Sequence, residues 1–121
     1  MQLYALIIGL FITTNTMAPF AAHRQLLIFG KEQHGALVQK QLQLLNTFPG
    51  DVKERDLKVR VVEKNNPLYR QYKVDSDQFT VILVGKDETE KHRVNRVLEI
   101  GELFAIIDAM PMRKAEMGKK N

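Results

Sequence analysis

The sequence predicts an α/β domain: a small mixed sheet with helices on both faces, in the order β-α-β-α-β-β-α. Three observations lead there. Short apolar or alternating runs take turns with stretches whose apolar residues recur every three or four positions. The opening strand–helix–strand needs a right-handed crossover, which makes its two strands parallel. A polar Gly-containing turn late in the chain joins two strands as an antiparallel hairpin. The length of 121 residues admits one domain, and the apolar share of 45% is that of a globular protein.

Arg24 to Gly30 (RQLLIFG) is a short apolar run closed by glycine and reads as a buried strand. Ala36 to Phe48 carries Val38, Leu42 and Leu45 at helical spacing, with Leu37, Leu44 and Phe48 widening the stripe. Gln39, Lys40, Gln41 and Gln43 fall mostly on the opposite face. Pro49-Gly50-Asp51 ends that helix in a turn. Leu57 to Val61 alternates apolar and charged residues, as a strand with one buried face does. Asn65-Asn66-Pro67 opens a short helix to about Lys73, with Pro67 suited to the first turn. Phe79 to Val84 (FTVILV) is the central strand, apolar enough for burial on both faces. Gly85 to Glu88 forms the hairpin turn, and the polar partner, Lys91 to Val97, is an edge strand. The last helix runs from Glu99 to Met110 on the stripe Ile100, Leu103, Phe104, Ile107 and Met110, and Pro111 stops it. The basic remainder, 114–121, is expected to be a flexible tail.

The first segment reads as an address. All 18 Lys and Arg and all 14 Asp and Glu lie at or after Arg24. Leu3 to Ile12 is an apolar run of about ten residues, short of the ~20 a membrane-spanning helix needs and matched to the core of a secretory signal peptide. Small residues follow at Ala18, Ala21 and Ala22. Two features depart from the usual pattern: no Lys or Arg precedes the run, and cleavage after Ala22 places bulky Phe20 three residues back. The expected organisation is 1–22 signal peptide, 23–113 domain and 114–121 tail. The expected location is periplasmic or secreted; an uncleaved membrane anchor is the alternative.

Three segments carry a resemblance: Arg24 to Phe29, Phe79 to Asp87, and above all Glu102 to Arg113 (ELFAIIDAMPMR). They resemble the thioredoxin-like P-DUDES domain, a domain of unknown function found in small exported bacterial proteins and in vertebrate sushi-repeat extracellular proteins. The resemblance covers about residues 24–113. It implies a thioredoxin-like fold and supplies no catalytic residue. Thioredoxins themselves place a redox cysteine pair after the first strand and a cis-proline before the central one. This chain has no Cys at all. It has Lys31 to Leu37 at the first place and Asp77-Gln78-Phe79 at the second.

Without Cys there is no disulfide, no thiolate nucleophile and no Cys-ligated metal, which excludes thiol oxidoreductases and peroxidases. His23, His34 and His92 lack zinc-ligand spacing, no glycine pattern forms a phosphate loop or dinucleotide fingerprint, and Ser76, the one serine, sits in no elbow motif. No cofactor or metal is expected. Ligands of open α/β sheets favour the carboxyl ends of strands, so the weak candidate ligand site is Lys31 and His34, with Gln78 and Phe79 where the cis-proline would stand. Phe79 fits the core equally well. The basic residues of 53–64 interleave with acidic ones, which argues against a nucleic-acid face. Lys86, Lys91, Arg93 and Arg96 could meet an anionic envelope surface or an acidic partner, or simply protect an edge strand. The leading expectation is a non-redox binding or interaction module with a protein partner in the envelope or extracellular space. Membrane contact would come only through an uncleaved N-terminal segment. The alternative is a non-thiol enzyme or anion-binding protein using the Lys31–His34 loop.

Overall fold

The computed structural model describes residues 21–120. Apart from Ala21 and Ala22, the expected export segment lies outside the described residues. The elements are β1 (Arg24–Phe29), a 3-10 turn (Glu32–His34), α1 (Gly35–Asn46), α2 (Pro49–Glu54), β2 (Leu57–Val62), α3 (Leu68–Gln71), β3 (Thr80–Val84), β4 (Glu90–Val94), α4 (Ile100–Asp108) and α5 (Pro111–Lys120). The sheet order is β2-β1-β3-β4. β1 runs parallel to β2, with Arg24 beside Leu57 and Phe29 beside Val62. It runs antiparallel to β3, which is antiparallel to β4.

β1 and β3 are the central pair, and this explains their unbroken apolar runs. A strand covered on both faces has no solvent side to mark with polar residues. Leu26, Ile28, Val81 and Leu83 face a core completed by Val38 and Leu45 of α1 and Leu103 and Ile107 of α4. Leu27, Phe29, Ile82 and Val84 face a smaller core closed by Leu68, Tyr69 and Tyr72 around α3. Helices therefore cover both faces of a mixed sheet.

Several boundaries differ from the sequence-based expectation, each for a physical reason. Phe79 precedes β3 and belongs to the larger core. β4 ends at Val94 because Asn95 turns its amide onto the Thr80 hydroxyl and the Phe79 carbonyl, at 2.9 and 3.2 Å. β2 loses its alternation at its end: Val61 is 41% exposed while Val62 is buried under the smaller core. Pro49-Gly50-Asp51 opens α2, with proline at a position where its missing N–H costs nothing. Gln41 is fully buried, where the helical stripe had put it on the outer face. Its amide donates to the Leu98 carbonyl at 3.1 Å and its oxygen accepts from the Leu98 N–H at 2.7 Å.

The largest correction concerns the C-terminus. The segment expected as a flexible basic tail is the body of α5, through Lys120. Pro111 stops α4 and also begins α5. Ion pairs anchor α5. Arg113 is 1% exposed. It reaches Asp108 at 3.1 Å, the Glu54 carboxylate at 3.3 Å and the Glu54 carbonyl at 3.2 Å. Glu116 accepts from Arg24 and from Lys86. These contacts tie the last helix to α2, to the first residue of β1 and to the hairpin.

Candidate functional site

The parallel pairing of β1 and β2 puts both carboxyl ends at one end of the sheet, and a cleft of about 450 Å³ opens there. Gly30 lets the chain leave β1 close to α1. A β-carbon there would stand 2.8 Å from Cγ2 of Val38 and 3.3 Å from Cβ of His34. Val38 is β-branched and buried, so it cannot swing aside. Gly30→Ala is therefore expected to cost about 1–3 kcal/mol through overpacking, read as a lowered urea midpoint with unchanged slope; an unshifted midpoint would show that α1 gives way freely.

Of the four residues singled out from the sequence, Lys31 lines this cleft and His34, Gln78 and Phe79 do not. Lys31 lines the cleft, and its ammonium pairs with Asp77 at 3.0 Å. His34 is turned back into the 3-10 turn, where its Nδ1 accepts from the Lys31 N–H at 3.2 Å. Its ring sits 6.4 Å from that of Phe79, which is core. Gln78 is exposed, and its N–H donates to the Asp75 carbonyl at 3.1 Å. The cleft instead joins Lys31 to Glu32, Gln33, Lys64, Asn65, Tyr69 and Ser76. Lys64, Asn65 and Tyr69 come from the segment after β2, held in place by two local features. Asn65 takes a left-handed conformation with φ 67°, which asparagine tolerates. Asn66 then closes the turn into α3 by accepting from the Leu68 N–H at 2.9 Å.

Tyr69 is the least ordinary of these. Its ring meets Phe29 edge-on at 4.9 Å, which fixes it against the smaller core. Its hydroxyl is enclosed and has no protein partner. Burial raises the pKa of that hydroxyl, and the nearby Lys31 charge opposes the rise. Lys64 approaches Glu32 at 3.7 Å, both side chains largely in solvent.

The opposite end of the sheet holds a second groove, of about 490 Å³, where Ile106, Met110 and Met112 meet Arg24, Lys86 and Lys91. Its cations are already matched. Lys86 sits 2.8 Å from Asp56 and 2.7 Å from Glu116, Arg24 sits 3.1 Å from Glu116, and Lys91 sits 2.7 Å from Asp87. Arg55 pairs with Asp108 at 2.8 Å and lies 4.1 Å over the Phe104 ring. Around β4, Arg93 pairs with Glu90 and Arg96 with Glu102. The basic residues that cluster along the hairpin in sequence are thus neutralised one by one, as a charged edge strand would be, and leave no single-sign patch there.

Among the described residues no three metal-ligating side chains converge, and no helix is long and apolar enough to cross a membrane. Residues 20–116 match the family described as a domain of unknown function, DUF4174, and the chain belongs to that family. No curated protein and no solved structure matches it.

Proposed function

We propose that this chain is an exported, thioredoxin-like binding module without redox activity, of the P-DUDES kind, and that it takes its ligand at the carboxyl ends of β1 and β2. The observation that carries this reading is the cleft at that end of the sheet. Two lysines from separate loops line one space there with Tyr69, whose enclosed hydroxyl has no protein partner, where open α/β sheets place their ligands. The β2-β1-β3-β4 order, with a parallel first pair and an antiparallel second, supports the thioredoxin-like part. The absence of cysteine supports the non-redox part.

Two measurements test the reading. Amide shifts of the ¹⁵N-labelled protein against a panel of small polar molecules should cluster at residues 31–33, 64, 65, 69 and 76. A panel that moves only other regions, or none, removes the binding assignment. Terminal sequencing of protein isolated from its native host should find a mature chain beginning close to His23; a chain beginning at Met1 removes the export assignment.

A further inference from the structure

The make-up of the cleft narrows its ligand. Its cationic lining is two ammonium groups, Lys31 and Lys64, with no guanidinium. A planar carboxylate is best matched by the arginine fork, whereas lysine acts on phosphate as a compact point charge. Each ammonium is held by one carboxylate that lies mostly in solvent, Asp77 at 80% and Glu32 at 92% exposure. Exposed pairs of this kind are weak, so an incoming dianion can replace both carboxylates.

The neutral groups point the same way. The Tyr69 hydroxyl lacks a protein acceptor, and a buried donor without an acceptor gains by meeting an oxyanion. Lys31 lines the same cleft as Tyr69. Gln33, Asn65 and Ser76 add hydrogen-bonding groups around the rim. A space of about 450 Å³ holds more than a bare phosphate and falls in the range of small-molecule sites.

We infer that the cleft binds the phosphate group of a small phosphomonoester. Lys31 and Lys64 neutralise it and the Tyr69 hydroxyl donates to one of its oxygens, with no bond made or broken. This rests on the binding reading above and gives its ligand class. The test uses ¹⁵N-labelled protein at constant ionic strength, titrated with inorganic phosphate, glycerol phosphate, acetate, chloride and glycerol. Phosphate and glycerol phosphate should move the amides of residues 31–33, 64–65 and 76, with affinity about tenfold or more above that for acetate. Lys64→Gln and Tyr69→Phe should each weaken binding by about tenfold, as loss of a hydrogen bond to a charged group does, while both variants unfold within a few degrees of the wild type. A response to phosphate that chloride matches overturns the inference, as does one that Lys64→Gln and Tyr69→Phe leave unchanged. If neutral glycerol moves these amides and phosphate does not, the phosphate inference fails and the binding reading stands.

Discussion

Replacing Arg24 with methionine is expected to cost about 3 kcal/mol of stability, measured by urea unfolding of the intact chain. Removing one member of a buried ion pair costs about 3–5 kcal/mol because the remaining charge is stranded. The low end applies here because Glu116 keeps Lys86 at 2.7 Å. What is lost is a guanidinium 1% exposed, which reaches both oxygens of Glu116 and donates to the Arg55 carbonyl at 2.9 Å. On a domain of this size the cost corresponds to a fall of roughly 12–24 °C in Tm. Changing Glu116 to leucine as well should recover part of it, since apolar replacement of both partners removes the stranded charge. A single-variant cost below about 1 kcal/mol would mean that α5 is held by something other than this network.

The same network fixes the direction of the pH dependence. Burial alone would raise the pKa of Glu116, but hydrogen bonds from Arg24 and Lys86 outweigh it, and the folded value lies below the ordinary one. Asp108 behaves alike: burial pushes up, and Arg55 and Arg113 pull it down further. For Asp56 the Lys86 hydrogen bond is the largest influence, and the folded value is again lowered. A group with a depressed folded pKa binds fewer protons folded than unfolded. Its contribution is full above the ordinary carboxylate range of about 4–4.5 and disappears as pH falls through the folded values. Wild-type stability should therefore drop between about pH 5 and pH 2, and the Arg24→Met variant should show a shallower drop over the same interval.

How much of this was legible in the sequence depends on where each residue's partners lie. β1 and β3 were legible because burial on both faces writes itself as a continuous apolar run, LLIF and VILV. The sheet's parallel first pair followed from the strand–helix–strand order. α5 was not legible, because Arg113 and Glu116 find their partners at Glu54, Arg24 and Lys86, far away in the chain. A run of lysines gives no sign of such pairing. In the cleft, Lys31 could be found by following β1 to its carboxyl end. Lys64 and Asn65 could have been found by the same rule applied to β2, since parallel strands end together. Tyr69 could not. Nothing in the short helix around it marks it out; its ring packs edge-on against Phe29, and only the fold shows its hydroxyl enclosed without a partner.

Gln41→Leu is the second substitution expected to have a large effect, and it tests a contact that helical periodicity reads backwards. The side chain is wholly buried between α1 and the turn before α4, and it satisfies both the N–H and the carbonyl of Leu98. Leucine fills similar space, so little cavity forms, but two buried backbone groups lose their partners. Each such group costs about 1–3 kcal/mol, and the variant should lose about 2–5 kcal/mol in all. Gln43→Leu, on the exposed side of the same helix, should change stability by less than about 0.5 kcal/mol. Unequal costs between these two glutamines separate the role of the Leu98 contact from any general effect of leucine on the helix. Amide exchange gives a local reading as well: the Leu98 N–H, bonded at 2.7 Å in the wild type, should exchange faster in Gln41→Leu than global destabilisation accounts for. If both variants cost the same, the Leu98 groups have found other partners and the glutamine is only a filler. If Gln41→Leu alone is costly, α1 and α4 are joined by one buried amide as well as by their shared apolar core. The larger face of the sheet then owes its fixed helix arrangement to a residue that the apolar stripe of α1 places outside.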